Sequence, residues 1–269
     1  MPDWLPYQAS ENSSLVGNLQ TCRLQSPQLG NERDIFVWLP PSYEISNKRY
    51  KVVYTQDGNN LFDEAVSFAG TWRADESMTL LAKEGIEAII VGVSNIDGEP
   101  FGVRQEEYSP FVGEGGRGGK GDAYLDFLVT TLKPLVDSSF RTLSDNKNTG
   151  IAGSSLGAYI SLYALYARPE TFGFAAAFSP YLGFSKELRH YIARTDVPEL
   201  IHRIYLDVGA LETGDAVGNE AYVTAIANMA VLLKEKGAKV DFLIDPNGEH
   251  NEASWSLRFP DAMRWLLSG

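Results

Sequence analysis

One serine, one histidine and a few carboxylates carry the chemistry available to this sequence. Gly153-Ser154-Ser155-Leu156-Gly157 places a serine with glycine two residues away on each side. It follows the apolar run Thr149-Gly150-Ile151-Ala152 and opens onto Ala158 to Leu165, which has helical apolar spacing. A turn of this type pushes the central serine onto a sharp strand-to-helix corner, where a side chain at either glycine would collide with the neighbouring elements. Ser155 is therefore the candidate nucleophile. A serine hydroxyl attacks only when a base takes its proton, and an imidazole can accept that proton and later return it to a leaving group. Of the three histidines, His190 lies inside an expected helix and His202 just before an expected strand, where surface or capping roles suffice. His250 falls in Asp245-Pro246-Asn247-Gly248-Glu249-His250-Asn251, a turn-rich loop after the last expected strand. It is the candidate general base.

A carboxylate must fix the imidazole tautomer and steady the imidazolium that forms. Asp207, Glu212 and Asp215 compete for this role. Glu212, three residues beyond Gly209 in a turn past a strand end, has the reach and is the choice, with Asp207 in reserve. The oxyanion formed on an attacked carbonyl needs two preorganised donors. One is the Leu156 amide, next to the nucleophile. The other is assigned to the Asn59 amide, in Gln56-Asp57-Gly58-Asn59-Asn60, where Gly58 permits a sharp bend. Trp72, Tyr181 and Trp255 lie at element edges and are candidates for lining a substrate pocket, although core packing suits each of them singly.

The elements that must position these groups follow from apolar periodicity. Leu19 to Leu24 and Arg33 to Leu39 read as an antiparallel lead-in pair. Thereafter the pattern alternates. Strands are expected at Val52 to Thr55, Ala88 to Val93, Asn148 to Ala152, Phe174 to Phe178, Arg203 to Val208 and Val240 to Ile244. Helices are expected at Ala74 to Glu84, Asp122 to Val136, Lys186 to Ala193, Glu220 to Lys236 and Pro260 to Leu267. Such a series predicts an α/β fold in one domain spanning 1–269: a mostly parallel central sheet with helices on both faces and active residues at the carboxyl ends of the strands. The glycine-rich Gly113 to Gly121 lacks the ending and the preceding strand of a phosphate-cradling loop and reads as a flexible surface connection.

A net charge of −12 argues against nucleic acid and anionic membrane surfaces as partners. The start of the chain has no signal-peptide pattern, and no later run approaches a membrane span, so a cytoplasmic location is expected. Cys22 stands alone, which precludes an internal disulfide and favours a small buried side chain. Nothing in the pattern specifies an oligomer.

Asp57-Gly58-Asn59-Asn60-Leu61-Phe62-Asp63, Phe68-Ala69-Gly70-Thr71-Trp72, Glu107-Tyr108-Ser109-Pro110, Tyr124 to Leu128, Ala152 to Gly157 and Phe178-Ser179-Pro180 together resemble the putative-esterase branch of the α/β-hydrolase superfamily. That branch is similar to feruloyl and acetyl esterases, siderophore trilactone esterases, S-formylglutathione hydrolase and mycolyl transferases. The resemblance runs from about Val37 to Trp265; Ala158 departs from it, where relatives often carry glycine. It implies an α/β-hydrolase fold, a triad of Ser155, Glu212 and His250, and an oxyanion hole from the Asn59 and Leu156 amides. The expected activity is that of a serine carboxylesterase acting on a small-molecule ester, with no cofactor or metal. Acyl transfer to an alcohol would use the same residues, as would hydrolysis of siderophore or carbohydrate esters. A catalytically silent binding protein on the same fold is the rival.

Overall fold

The computed structural model describes residues 3–67, 69–96, 102–196 and 203–268; His202 lies outside them. The elements in chain order are β1 (Leu5–Pro6), β2 (Asn18–Ser26), β3 (Asn31–Leu39), β4 (Lys51–Gln56), α1 (Ala74–Lys83), β5 (Ala88–Val93), α2 (Gly102–Glu107), α3 (Gly121–Asp126), α4 (Lys133–Ser139), β6 (Thr149–Ser154), α5 (Leu156–Ala167), β7 (Phe174–Phe178), α6 (Glu187–Arg194), β8 (Arg203–Leu211), α7 (Ala216–Glu235), β9 (Lys239–Glu249) and α8 (Glu252–Leu267). A π-helical stretch, Phe127–Leu132, joins α3 to α4, so the helix expected over Asp122 to Val136 is a composite.

The strands form one sheet in the order β1-β2-β3-β5-β4-β6-β7-β8-β9. From β5 to β9 every pairing is parallel, and β1 to β3 add the antiparallel lead-in. Alternate residues of the central strands supply two cores. Val52, Tyr54, Ile151 and Ala175 face α5 and its neighbours, while Val53, Ala152, Ala176 and Phe178 face α1 and α8. β4 leads to β5 on one side and lies beside β6 on the other, which makes the β4/β6 boundary the switch point where open α/β sheets place their sites.

Several expectations change. Asp245-Pro246-Asn247-Gly248 is extended strand rather than turn, because β9 runs on to Glu249; it is the outermost strand, and an edge tolerates a proline that donates no ladder bond. α8 begins at Glu252 rather than Pro260, capped by the Asn251 side chain, which accepts the Ser254 amide at 2.9 Å. His250 therefore sits in a two-residue junction. The glycine loop is pinned rather than loose: a Cβ at Gly113 would lie 2.2 Å from the Phe184 carbonyl oxygen and one at Gly121 2.3 Å from the Pro110 nitrogen, and Gly113 N–H donates to Arg117 O at 2.7 Å. Close approach, not flexibility, explains those glycines.

Contrary to the sequence expectation, α7 is long and apolar enough to cross a membrane, with a mean hydropathy of 1.3. In the fold it packs Ile226, Met229 and Leu233 into the core of the sheet. Cys22 is buried, 5% exposed.

The segment before β2 is stapled across α1 and the loop after β4. Asp63 accepts from Tyr7 Oη (2.9 Å), Ser13 Oγ (2.7 Å) and the Ser14 amide (3.1 Å), and Asp75 accepts the Val16 amide at 2.6 Å. Burial pushes the Asp75 carboxyl up to about 6, its backbone hydrogen bonds offsetting only part of the rise. Its folded value lies above the unfolded value of about 3.9. Between these values the native chain holds a proton that the unfolded chain releases, so stability from this group is lost as pH rises through that window. Asp75→Asn keeps an acceptor for Val16 and removes the titration. Urea unfolding from pH 4.5 to 7.5 should show wild type losing about 2 kcal/mol relative to the variant; parallel profiles would contradict this.

Candidate active site

Ser155 stands between β6 and α5 at φ 56°, ψ −120°, a strained conformation typical of functional turns. Neighbouring backbone holds it there: its N–H donates to Phe178 O (3.0 Å), and its carbonyl accepts Tyr181 N–H (3.1 Å) and Tyr159 N–H (3.1 Å). Gly153 is sterically required, since a Cβ there would lie 2.5 Å from the Gly157 carbonyl carbon, and a Cβ at Gly157 would sit tightly, 3.0 Å from Gln56 Cβ. α5 starts at Leu156, so the Leu156 amide is among the unpaired N–H groups at the positive end of a twelve-residue helix.

Across the β4/β6 boundary, Asp57 takes a left-handed conformation, φ 54°, and leads into the 3-10 turn Gly58–Asn60. Asn59 is half-buried, and its amide lies in the first turn, whose N–H groups have no partner within the helix. The turn abuts the elbow: a Cβ at Gly157 would lie 3.3 Å from Asp57 Oδ2. Arg104 clamps Asp57, with Nε and a terminal nitrogen each 2.8 Å from its two carboxylate oxygens, and Asn95 Nδ2 donates to Oδ1 at 2.7 Å. This clamp had no signal in the sequence, because its members lie 47 and 38 positions from Asp57.

His250 Nδ1 lies 2.5 Å from Glu212 Oε2. Glu212 Oε1 accepts the Gly209 amide at 2.5 Å and the Ser179 hydroxyl at 2.6 Å. Burial alone would raise the Glu212 carboxyl, but the hydrogen bonds from His250, Ser179 and Gly209 outweigh it and hold it below the ordinary carboxylate range. An ionised Glu212 accepts a hydrogen bond from Nδ1–H, which keeps the proton on Nδ1 and leaves Nε2 with a lone pair, the tautomer a general base requires. Asp207 does not reach His250. It is fully buried and pairs with Arg258, Nε to Oδ2 3.2 Å; burial pushes it up to about 7, with Arg258 pulling the other way. Asp215 caps α7, accepting the Gly218 amide at 2.9 Å.

Ser155 and Glu212–His250 meet through the end of β7. Phe178 O binds the Ser155 amide, and the next residue, Ser179, binds Glu212. No hydrogen bond joins Ser155 Oγ to His250 directly among the described residues; such bonds are often long in unliganded enzymes and tighten around substrate. From the other side Asn60 Nδ2 donates to Glu252 Oε1 at 3.0 Å, tying the Asn59 turn to the first residue of α8.

The aromatic candidates divide. Trp72 is 2% exposed and packs edge-on against Phe178 with ring centroids 5.0 Å apart. Trp255 is 5% exposed and donates its indole N–H to Ser179 Oγ at 3.1 Å. Both belong to the core beneath the rim, because each ring has almost no surface left for a ligand; this corrects their assignment to a pocket wall. Tyr181 is half-buried and lines a cleft of about 220 Å³ with Pro180, Leu182, Ala221, Tyr222 and Ala225. The Tyr222 ring lies 5.8 Å from that of His250. A larger hollow, about 670 Å³, opens on the opposite side, where Tyr7, Phe36, Val66 and Asn95 adjoin Asn59. His190 is exposed and sits 3.6 Å from Glu187. Among the described residues no group of three His, Cys, Asp or Glu is placed to hold a metal ion.

The family model described as putative esterase matches residues 26–266. The chain belongs to the putative esterase family. Relatives in that company include YjcH of Bacillus subtilis, 28% identical over 93% of this chain and 98% of its own length. The siderophore triacetylfusarinine C esterase of Aspergillus fumigatus is 30% identical over 48% of this chain and 43% of its own. Among solved structures, an IroE-like serine hydrolase from Shewanella oneidensis superimposes with a TM-score of 0.73 at 21% identity, covering 93% of this chain and 80% of that one. This likeness establishes the α/β-hydrolase type of fold, and family membership makes the esterase a carboxylic ester hydrolase.

Proposed function

We propose that this esterase is a serine carboxylesterase working through an acyl-enzyme. Ser155 attacks the ester carbonyl, His250 takes the hydroxyl proton and passes it to the leaving alcohol, and Glu212 holds the imidazole and steadies its cationic form. The amides of Leu156 and Asn59 receive the oxyanion, helped by the positive end of α5. Water then attacks the acyl-enzyme with His250 as base, returning Ser155 and releasing the acid. The observation that carries the reading is the 2.5 Å contact of His250 with a buried carboxylate, in a molecule whose strained serine lies one strand end away.

Substrate class follows from the hollows. The 220 Å³ cleft beside Tyr181 is almost wholly apolar in lining and suits a short acyl or single-ring group. The name of the Aspergillus relative makes siderophore esters a sensible second panel. Hydrolysis of p-nitrophenyl acetate and butyrate by wild type, at rates no greater than those of Ser155→Ala, would refute the serine mechanism. Ala221 is exposed on α7 and faces the cleft, so Ala221→Trp should fill it without disturbing the core. We expect KM for p-nitrophenyl butyrate to rise about 10-fold, with acetate affected less; equal effects on both would remove the cleft from the site.

A further inference from the structure

Ser179 has no part in the mechanism above, yet it occupies the centre of the polar cluster behind the His250 ring. It is fully buried and held at φ 45°, a conformation that non-glycine residues rarely adopt. Its Oγ lies 2.6 Å from Glu212 Oε1, 3.1 Å from Trp255 Nε1 and 3.1 Å from a terminal nitrogen of Arg258. An indole N–H and a guanidinium can only donate, so they occupy the acceptor positions of the hydroxyl. Its single hydrogen is left with one destination, Glu212. The cluster is anchored at depth: Arg258 pairs with Asp207, both side chains nearly unexposed. Asp207 Oδ1 accepts the Ser179 amide at 3.0 Å, and Tyr222 Oη donates to the Ser179 carbonyl at 2.9 Å.

We propose that Ser179 is a positioning residue: its hydroxyl, polarised by Trp255 and Arg258, donates to Glu212 Oε1 and keeps that carboxylate ionised with Oε2 turned to His250. The proposal rests on the reading of Ser155, His250 and Glu212 as the reacting set. A buried carboxylate keeps its charge only when donors replace water. The groups facing Glu212 are His250 from the β9–α8 junction, Gly209 N–H and Asp207 on β8, Ser179 after β7, Tyr222 on α7, and Arg258 and Trp255 on α8. Asp207 and Arg258 form an ion pair, so together they fix direction more than they add net charge. Without the Ser179 hydroxyl, Oε1 keeps the Gly209 amide alone; the carboxylate gains basicity and freedom to rotate.

Two variants separate this role from that of a strained turn. Ser179→Ala removes the hydroxyl and keeps the strain, whereas Ser179→Gly removes the hydroxyl and relaxes the positive φ. With p-nitrophenyl butyrate, both should lose about 10- to 100-fold in kcat, the loss of one hydrogen bond to a charged group, with KM nearly unchanged. The acid limb of kcat/KM should move to higher pH in both, because a more basic Glu212 holds the imidazolium proton more tightly. Ser179→Gly should melt no lower than Ser179→Ala. A Ser179→Gly enzyme with wild-type kcat and an unmoved acid limb would overturn the proposal. If neither variant folds, Trp255→Phe removes one polarising donor while keeping a ring in the core, and the same two readouts decide. An inactive Ser155→Ala beside an unimpaired Ser179→Gly refutes this role alone, whereas an active Ser155→Ala refutes the reading beneath it.

Discussion

Ser155→Ala should bring p-nitrophenyl butyrate hydrolysis down by about 10⁴-fold or more in kcat, with the melting transition intact. The size follows from the division of labour. The Leu156 amide and the α5 terminus remain to bind an oxyanion, but no oxygen is left to form the acyl-enzyme, and water in the same cavity is neither fixed nor activated to the same degree. His250→Ala should fall by a similar factor, since a hydroxyl with no base at hand is not a competent nucleophile at neutral pH. The double variant should be little worse than either single one, because residues that act as a unit are strongly non-additive. Losses that multiplied would mean that the two residues serve separate steps. Loss of the melting transition in Ser155→Ala is not expected: alanine at φ 56° carries the same backbone strain as serine.

Glu212→Gln should cost about 10²- to 10⁴-fold in kcat, whereas Asp207→Asn should cost less than about 10-fold and reveal itself in stability. The surroundings dictate how a glutamine would sit. Two donors, the Ser179 hydroxyl and the Gly209 amide, converge on the Oε1 position and would select the amide oxygen. The NH₂ group is then turned toward His250 Nδ1, which has to accept. That places the remaining imidazole proton on Nε2, where a base is needed, and the wrong tautomer dominates. Asp207 touches Arg258 and the Ser179 amide instead. Its replacement leaves a buried guanidinium without its counter-charge, so a lowered melting temperature with activity largely kept is the expected pattern. Reversal of the two effects would move the acid from Glu212 to Asp207.

Much of this architecture was legible because its signals are local. The elbow glycines are two residues from Ser155, and the alternation of apolar strands with helical periods gives the parallel sheet and its lead-in pair. Glu212 was singled out from Asp207 by its distance past a strand end. Non-local effects were hidden. Pro246-Asn247-Gly248 reads as a turn in any window, and becomes strand only because β9 is the sheet edge and pairs with β8 as far as Leu211 and Glu249. Trp72 and Trp255 look like rim residues until α8 folds back and packs Trp255 and Phe259 against Trp72. α7 reads one-sidedly as well: its hydropathy reflects a helix that packs on the sheet with one face and lines an apolar cleft with another. The bonds centred on Ser179 span 33, 76 and 79 positions, separations at which no periodicity exists.

In the proposed mechanism the hydroxyl at the β6–α5 corner becomes acylated with the help of the imidazole before α8. Mass spectrometry of protein quenched during p-nitrophenyl butyrate turnover, or treated with a fluorophosphonate, tests it most directly. One adduct per chain should map to the peptide containing Ser155, and labelling should slow sharply in His250→Ala. An adduct on a different peptide, or labelling of Ser155 at an unchanged rate in His250→Ala, would contradict it.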